Sequence, residues 1–371
     1  MKFSCEKYLL QNAISAAKRC AATKSPIPAL EGLLVQAGAD VRLTGYNLKQ
    51  GVHTTIPADV TEPGSIVLNA KLFEEIVRGL PDGVVTVDTQ DGLNTRITCR
   101  AADFSIIGTE SGEYPELPTV DRENAVSVPQ NTLGCMIRQT HFAVSDNESR
   151  PVYTGELLEV KGDCLTMVAV DGYRLALRRE TVDAANVEDC SFIVPGAALS
   201  ELEKLFEDVD DLVQITVGAK HISFAFGDTV MVTRRLEGEF LNYNRSIPSE
   251  FATVVQAERS ELVQAVSRVS IVVDDRAKTP LRLSLEEDLL KLLCVTSKGR
   301  GVDECPVKGG ADAGLEIGFN NRYLLDALRA APADSVKLCF NNASSPCVIL
   351  PADGSDGFSY MILPVRLKAG A

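Results

Sequence analysis

No apolar run in this chain approaches 18 residues, so the sequence offers no membrane-spanning helix. No Cys-x-x-Cys pair occurs, and histidine is limited to His53, His141 and His221. A zinc site needs paired ligands at short spacing, so this argues against a metal. A lone histidine fits a structural role. There is no P-loop, no Gly-x-Ser-x-Gly and no His-Glu-x-x-His. Those motifs carry phosphate cradles, nucleophile elbows and zinc-hydrolase chemistry. Acid pairs such as Asp210-Asp211 and Asp274-Asp275 read as loop acids rather than catalytic dyads. The expectation is a protein that is no enzyme. A basic excess is missing too: 37 basic against 51 acidic residues give −14. Taken alone, that argues against nucleic acid, which meets a basic footprint. It favours solubility and cationic partners.

What is present is globular. The 371 residues are 45% hydrophobic and 24% charged, without low-complexity stretches. Met1-Lys2-Phe3-Ser4-Cys5 reads directly as a strand with no signal-peptide pattern, so a cytoplasmic location is expected. Cys5, Cys99, Cys164, Cys294 and Cys339 lie in apolar or alternating runs and read as buried free thiols of a reducing compartment.

The chain also repeats itself. Leu68-Asn69-Ala70-Lys71-Leu72-Phe73-Glu74-Glu75-Ile76 recurs in residue type as Val194 to Leu202 and as Phe319 to Ala327, at offsets of 126 and 125. In the same register, Phe3, Leu10 and Ile14 match Val126, Leu133 and Ile137, then Val255, Leu262 and Val266. A period this long is a domain, not a solenoid unit. The expected domains are 1–122, 123–249 and 250–371, with linkers near Asp121–Asn124 and Ser249–Thr253.

Each domain carries two helical patterns. The first set spans roughly Glu6–Cys20, Asn131–Val144 and Arg259–Val272. The second spans Lys71–Leu80, Ala197–Phe206 and Asn321–Ala331. Gly79, Pro81 and Pro332 supply stop signals. Between them run segments of period two, such as Thr95-Arg96-Ile97-Thr98-Cys99, bounded by turns such as Asp91-Gly92. The fold class is α+β: three repeated domains of antiparallel sheet with two helices each.

The six helices carry 11 basic and 7 acidic residues, a net +4 that leaves −18 for the rest of the chain. Ordinary solvated faces would account for this. So would a function. If two chains closed into a ring lined by twelve helices packed about 9 Å apart, the axes would trace a circumference of about 110 Å. Removing one helix diameter leaves a hole of about 25 Å. A DNA duplex would pass with a layer of water, and inward Lys and Arg would touch phosphates without reading sequence.

Several segments carry a resemblance: Met1-Lys2-Phe3, Asp171-Gly172-Tyr173-Arg174-Leu175, Glu237-Gly238-Glu239-Phe240 with Tyr243, Arg245 and Pro248, Ile317-Gly318-Phe319-Asn320 with Tyr323, and Tyr360 to Leu367. In this order on three repeats, the chain resembles the bacterial sliding clamps, the β subunit family of DNA polymerase III. The resemblance implies sheets outside and helices lining a head-to-tail homodimeric ring around duplex DNA. The implied function is a polymerase processivity factor with no catalytic activity and no cofactor, located in the cytoplasm in association with the nucleoid. Implied partners are sequence-independent duplex DNA, the polymerase III α subunit, a clamp loader, other polymerases and repair proteins, and a second copy of the chain, with no membrane. A three-domain scaffold that binds proteins but encircles no DNA is the alternative.

The resemblance also implies a peptide pocket between the second and third domains. Its candidates are Tyr153, Val170, Gly172, Tyr173, Arg174, Leu175, Leu241, Arg245, Asn320, Tyr323, Met361, Leu363, Pro364, Val365 and Arg366. Apolar side chains and a methionine suit an adaptable slot. Arg174, Asn320 and Arg366 suit hydrogen bonds to a peptide. Val170 and Leu175 fit plain core packing equally well. Tyr173 stands where the family has histidine, Leu241 where it has proline, and the chain runs past the usual ending as Lys368-Ala369-Gly370-Ala371. Lys24 sits at a basic loop position of the family. Arg78, Arg138, Lys204 and Arg268 are further DNA-facing candidates. Phe104 and Ile106, facing Ile271 and Val272 of a partner, are the candidate dimer contact, because edge strands that pair across chains leave no free edge.

Overall fold

Three times the chain follows the same course: a strand, a helix, four strands, a helix, three strands. A computed structural model describes residues 1–120, 125–184, 188–273, 279–310 and 314–367. The expected linker at Asp121–Asn124, the acids Asp274-Asp275 and the ending 368–371 lie outside the described residues. The first pass comprises β1 (Lys2–Glu6), α1 (Lys7–Lys18), β2 (Gly32–Ala37), β3 (Val41–Tyr46), β4 (Gln50–Ile56), a short extra β5 (Asp59–Glu62), β6 (Gly64–Asn69), α2 (Ala70–Gly79), β7 (Val84–Thr89), β8 (Asn94–Cys99) and β9 (Ala102–Ile107). The second comprises β10 (Val126–Pro129), α3 (Gln130–Thr140), β11 (Gly155–Lys161), β12 (Cys164–Val170), β13 (Arg174–Thr181), β14 (Cys190–Pro195), α4 (Gly196–Glu203), β15 (Leu212–Val217), β16 (His221–Phe226) and β17 (Thr229–Arg234). A one-turn helix, α5 (Tyr243–Ser246), precedes the third. That pass comprises β18 (Thr253–Glu258), α6 (Arg259–Ser270), β19 (Leu281–Glu286), β20 (Leu289–Thr296), β21 (Gly299–Lys308), β22 (Glu316–Phe319), α7 (Asn321–Ala330), β23 (Ser335–Phe340), β24 (Cys347–Pro351) and β25 (Phe358–Ile362).

In the first and third repeats the motif that opens the second helix is a capping device. Asn69 accepts a hydrogen bond from the Leu72 amide at 3.0 Å. Asn320 accepts from the Arg322 amide at 2.9 Å and from that of Tyr323. Each satisfies donors that a helix start leaves orphaned. Behind the cap, Ala70, Phe73, Ile76 and Val77 of α2 face inward at helical spacing, as do Leu324, Leu325, Ala327 and Leu328 of α7. Each large side chain so buried stabilises by about 1.5–3 kcal/mol.

By contacts the chain forms two units: Met1–Asn131 with Ala197–Arg235, and Thr132–Gly196 with Leu236–Ala371. The middle repeat is thus divided between them. The first unit holds a five-stranded sheet, β5-β1-β7-β8-β9, and an eight-stranded one, β10-β15-β16-β17-β4-β3-β2-β6. Its core gathers Phe3, Leu10, Ile14, Leu33, Leu43, Phe73 and Val77. A Cβ on Gly45 would stand 1.8 Å from the Ala17 carbonyl oxygen, so only glycine lets α1 lie this close on β3. The second unit is built on one twelve-stranded sheet, β14-β11-β12-β13-β25-β24-β23-β18-β21-β20-β19-β22. Its main core includes Leu262, Val266, Leu283, Phe319, Leu328, Phe340 and Tyr360. The pairings are antiparallel, as the α+β reading expects. Cys5, Cys99, Cys294 and Cys339 are buried free thiols, whereas Cys164, near a strand end, is only half-buried.

The joints between repeats follow one rule. The last strand of the second repeat, β17, pairs with β4 of the first, and β25 of the third pairs with β13 of the second. In each case the third strand of one half-repeat meets the third strand of another. Two such strands keep an open side among the described residues. β9 ends its sheet, and β21 meets β18 only through Val307 and Lys308.

Candidate partner-docking site

The candidate pocket residues all fall in the second unit, and the strand joint β13–β25 brings them together. Leu175 lies opposite Met361 across that joint. Val170, Leu175 and Met361 are buried in one apolar cluster with Leu157, Val168, Leu177 and Val348, and Tyr153 packs against it. Leu175 has no exposed surface and is core in its own right. Tyr153 meets Phe240 edge to face, with ring centroids 5.6 Å apart. Tyr243 is buried beside them, and its hydroxyl donates to Glu159 at 2.6 Å. Burial and that carboxylate push the Tyr243 phenol up to about 12, so it stays a neutral donor.

The turn before β13 has its own logic. Asp171 Oδ1 accepts from the amides of Tyr173 at 2.9 Å and Arg174 at 3.0 Å. Between them Gly172 takes φ +91°, a region that a side chain disfavours. This turn holds Tyr173 outward, 62% exposed, with its ring stacked near Tyr323 at 6.3 Å. The last described residues run beside it. The Leu363 amide donates to the Tyr173 carbonyl, and the Val365 amide to that of Gly318, both at 2.8 Å. Leu363 and Leu241 each leave 36% of their surface exposed. Arg366 and Arg245 are exposed, and Pro364 is half-buried. The result is an apolar floor with exposed aliphatic, aromatic and guanidinium groups around it, suited to an extended peptide.

Two candidate donors are already engaged. Arg174 is expected to bond a peptide, but its Nε meets Asp171 at 2.9 Å and its Nη1 meets Asp326 at 2.7 Å. Its guanidinium also lies 4.3 Å from the Tyr323 ring centroid and 5.4 Å from that of Phe142. It positions Tyr323 rather than presenting free donors. The Asn320 side-chain oxygen is occupied as the α7 cap. Sequence reasoning missed Asp326 and Phe142, and it quoted Asp171 and Phe240 only as motif residues, not as part of the pocket. Only Asp171 had a local signal, as an acid ahead of a glycine turn.

Of the DNA-facing candidates, Lys24 and Arg78 are exposed. Lys204 is exposed beside Glu201, at 2.7 Å, and Glu201 also takes Arg19 at 3.3 Å. Arg268 is bound to Asp303 at 2.5 Å, and Arg138 Nη2 lies 3.2 Å from the Cys135 sulfur. On the dimer side, Ile106 is 8% exposed and belongs to its own unit's core, although Phe104 shares its face of β9, opposite Ile97. Its neighbour Ile107 is 80% exposed, Phe104 41% and Ile271 81%, while Val272 packs against the core of the second unit.

Three repeats, matching strand joints and one apolar, aromatic face describe a clamp architecture. Family models agree along the whole length. The N-terminal domain of the DNA polymerase III beta subunit matches residues 1–118, its central domain 127–242 and its C-terminal domain 244–366. The chain belongs to this family, that of the bacterial sliding clamps. A beta sliding clamp of Synechocystis sp. is 32% identical over 99% of this chain and 100% of its own. One from Staphylococcus epidermidis is 29% identical over 99% of both. The solved sliding clamp of Bacillus subtilis superposes with a TM-score of 0.95 at 29% identity, covering 99% of this chain and 100% of that one. A Pseudomonas aeruginosa clamp bound to griselimycin gives 0.93 at 27% identity, with the same coverage.

Proposed function

We propose that two copies of this chain join head to tail into a ring that encircles duplex DNA and tethers polymerases. The supporting observation is the rule of the strand joints. β17 meets β4 and β25 meets β13, each antiparallel, which leaves β9 and β21 as the unmatched third strands. β9 of one copy on β21 of another repeats the same joint and closes the assembly. Among the described residues, the two most exposed large apolar side chains, Ile107 at 80% and Ile271 at 81%, belong to β9 and to the end of α6, which packs on β21. Size selects two chains over one. Six helices about 9 Å apart would leave a hole of only about 7 Å, and twelve about 25 Å.

In this reading the domains are 1–122, 123–249 and 250–371. Lys24, Arg78, Arg138, Lys204 and Arg268 face the DNA and touch phosphates without base readout. Phe104 and Ile107 meet Ile271 and Val272 of the partner subunit. The pocket of Tyr153, Val170, Tyr173, Leu241, Tyr323, Met361, Leu363 and Arg366 takes a short peptide from the polymerase α subunit, the clamp loader and repair proteins. The ring holds by topology and carries out no bond chemistry of its own. It works on DNA in the cytoplasm.

The test is retention on DNA. A loaded ring stays on closed circular DNA in high salt and leaves once the circle is cut. A scaffold without a ring, or an ordinary phosphate binder, is lost from both as salt rises. Loss from uncut circles at high salt refutes the ring.

A further inference from the structure

The first unit contains the same joint as the peptide pocket, and there Tyr114 and Leu117 cover the sheet face only in part. In the second unit, register sets Leu157, Val168, Leu177 and Ser359 in a row across β11, β12, β13 and β25. Phe240, Ile247 and Phe251 pack over this face, with Tyr243 buried among them. In the first unit the matching row is Leu34, Thr44, His53 and Val230 across β2, β3, β4 and β17. The segment from Ser111 to Val120 roofs it and leaves a cavity of about 590 Å³. Thr44 and His53 stand where the other unit has Val168 and Leu177. Ser223, opposite Val232, stands where it has Val348, opposite Met361.

Polar groups on a buried sheet face are costly unless they are satisfied. Thr44 and Ser223 are each 6% exposed, and their hydroxyls, with no hydrogen-bond partner among the described residues, open onto the cavity; the buried side-chain oxygen left without a partner is Ser359 Oγ of the other unit's row. Both line the cavity, as does Arg42, which carries no ion pair among the described residues. Glu116 is the single acid of the lining, while Leu34, Leu117, Val230 and Val232 supply apolar wall. The neighbouring turn is also duplicated. Asn47 Oδ1 accepts from the amides of Lys49 at 3.0 Å and Gln50 at 2.9 Å, and the Arg234 amide donates to the Lys49 carbonyl at 3.0 Å. Lys49 and Arg234 thus replace the exposed Tyr173 and Leu363 of the other site.

We infer that this cavity is a second docking site, for a short peptide carrying a carboxylate between aliphatic side chains. Arg42 receives the carboxylate, the Thr44 and Ser223 hydroxyls bond the peptide backbone, and the apolar wall takes its aliphatic side chains. The volume lies in the usual range for ligand sites, roughly 300–1,000 Å³. The choice of a peptide as occupant rests on the peptide-docking reading of the second unit. The cavity and its unpartnered polar groups do not.

The experiment is methyl NMR on the full chain, titrated with acetyl-Leu-Asp-Leu-Leu-amide. The expected result is saturable movement of the Leu34, Val230 and Val232 methyls. Binding should weaken at least fivefold in Arg42→Ala and with the Asp→Asn peptide. A Thr44→Val, Ser223→Ala double variant should weaken it as well. Methyls of Leu175 and Met361 report the other site and the integrity of the fold, so the two sites fail separately. Unmoved Val230 and Val232 signals at millimolar peptide would mean that the cavity holds only water and overturn the inference. So would movement that is equal in wild type and Arg42→Ala.

Discussion

Arg174 shows how one side chain decides a site. It bridges Asp171, Asp326 and the Tyr323 ring while only 11% of its side chain is exposed. Removing it strands two carboxylates, one of them 12% and the other 27% exposed. Fully buried pairs broken in this way cost about 3–5 kcal/mol, and partial exposure lowers the figure. Arg174→Ala is expected to destabilise the chain by about 2 kcal/mol and to loosen Tyr323. Arg174→Lys should recover less than half, because an ammonium cannot make the fork. Urea unfolding measures both, and a loss near zero for the alanine variant would show that the pins are ornamental. His221 is a second residue with a testable consequence. Burial, then Arg234 and Lys220, hold its pKa below the ordinary value. As pH falls below about 6.5, the unfolded chain takes up a proton that the folded chain refuses. Stability is therefore lost downward from that pH and is untouched above it. His221→Gln should flatten the fall below pH 6.5, seen as a smaller shift in urea midpoint. An unchanged slope would place the pH dependence elsewhere.

At the scale of elements, helix positions were legible in the sequence because their causes are local, while the caps at their starts emerged with the structure. Asn69 and Asn320 each sit one residue before a helix and cap it. The helices expected at Lys71–Leu80 and Asn321–Ala331 form as Ala70–Gly79 and Asn321–Ala330. The orientation of β9 was not legible. A one-residue difference in face sends Ile106 into the core and Ile107 outward, and only pairing with β8 fixes which. The corresponding prediction concerns assembly. Burying one such isoleucine contributes about 1.5–3 kcal/mol. Ile107→Asp or Ile271→Asp should therefore convert a particle of twice the 40.0 kDa chain into a monomer at micromolar concentration, read by light scattering. A dimer that persists in both variants would remove the β9–β21 joint.

Across the whole molecule, the ten cysteines form a check on the packing. Burial pushes Cys5 and Cys20 up to about 12, and Cys305 and Cys339 up to about 11. Only Cys135, Cys164 and Cys190 are partly exposed. A thiol reagent at neutral pH should find at most three fast sites in the folded chain and ten after unfolding. More fast sites would mean that the cores open readily. The sequence by itself determined the threefold repeat, the α+β class, the helix starts and the family, since these depend on periodicity and on motifs a few residues long. Tertiary structure alone decided which strands join repeats, which edges stay open, and that Arg174 is a pin. It also decided that one sheet face is covered by aromatics while its counterpart keeps a cavity lined by both polar and apolar groups. The reason is distance along the chain. β4 meets β17 and β13 meets β25 across more than a hundred residues. No local pattern encodes which side chains such pairings bring face to face.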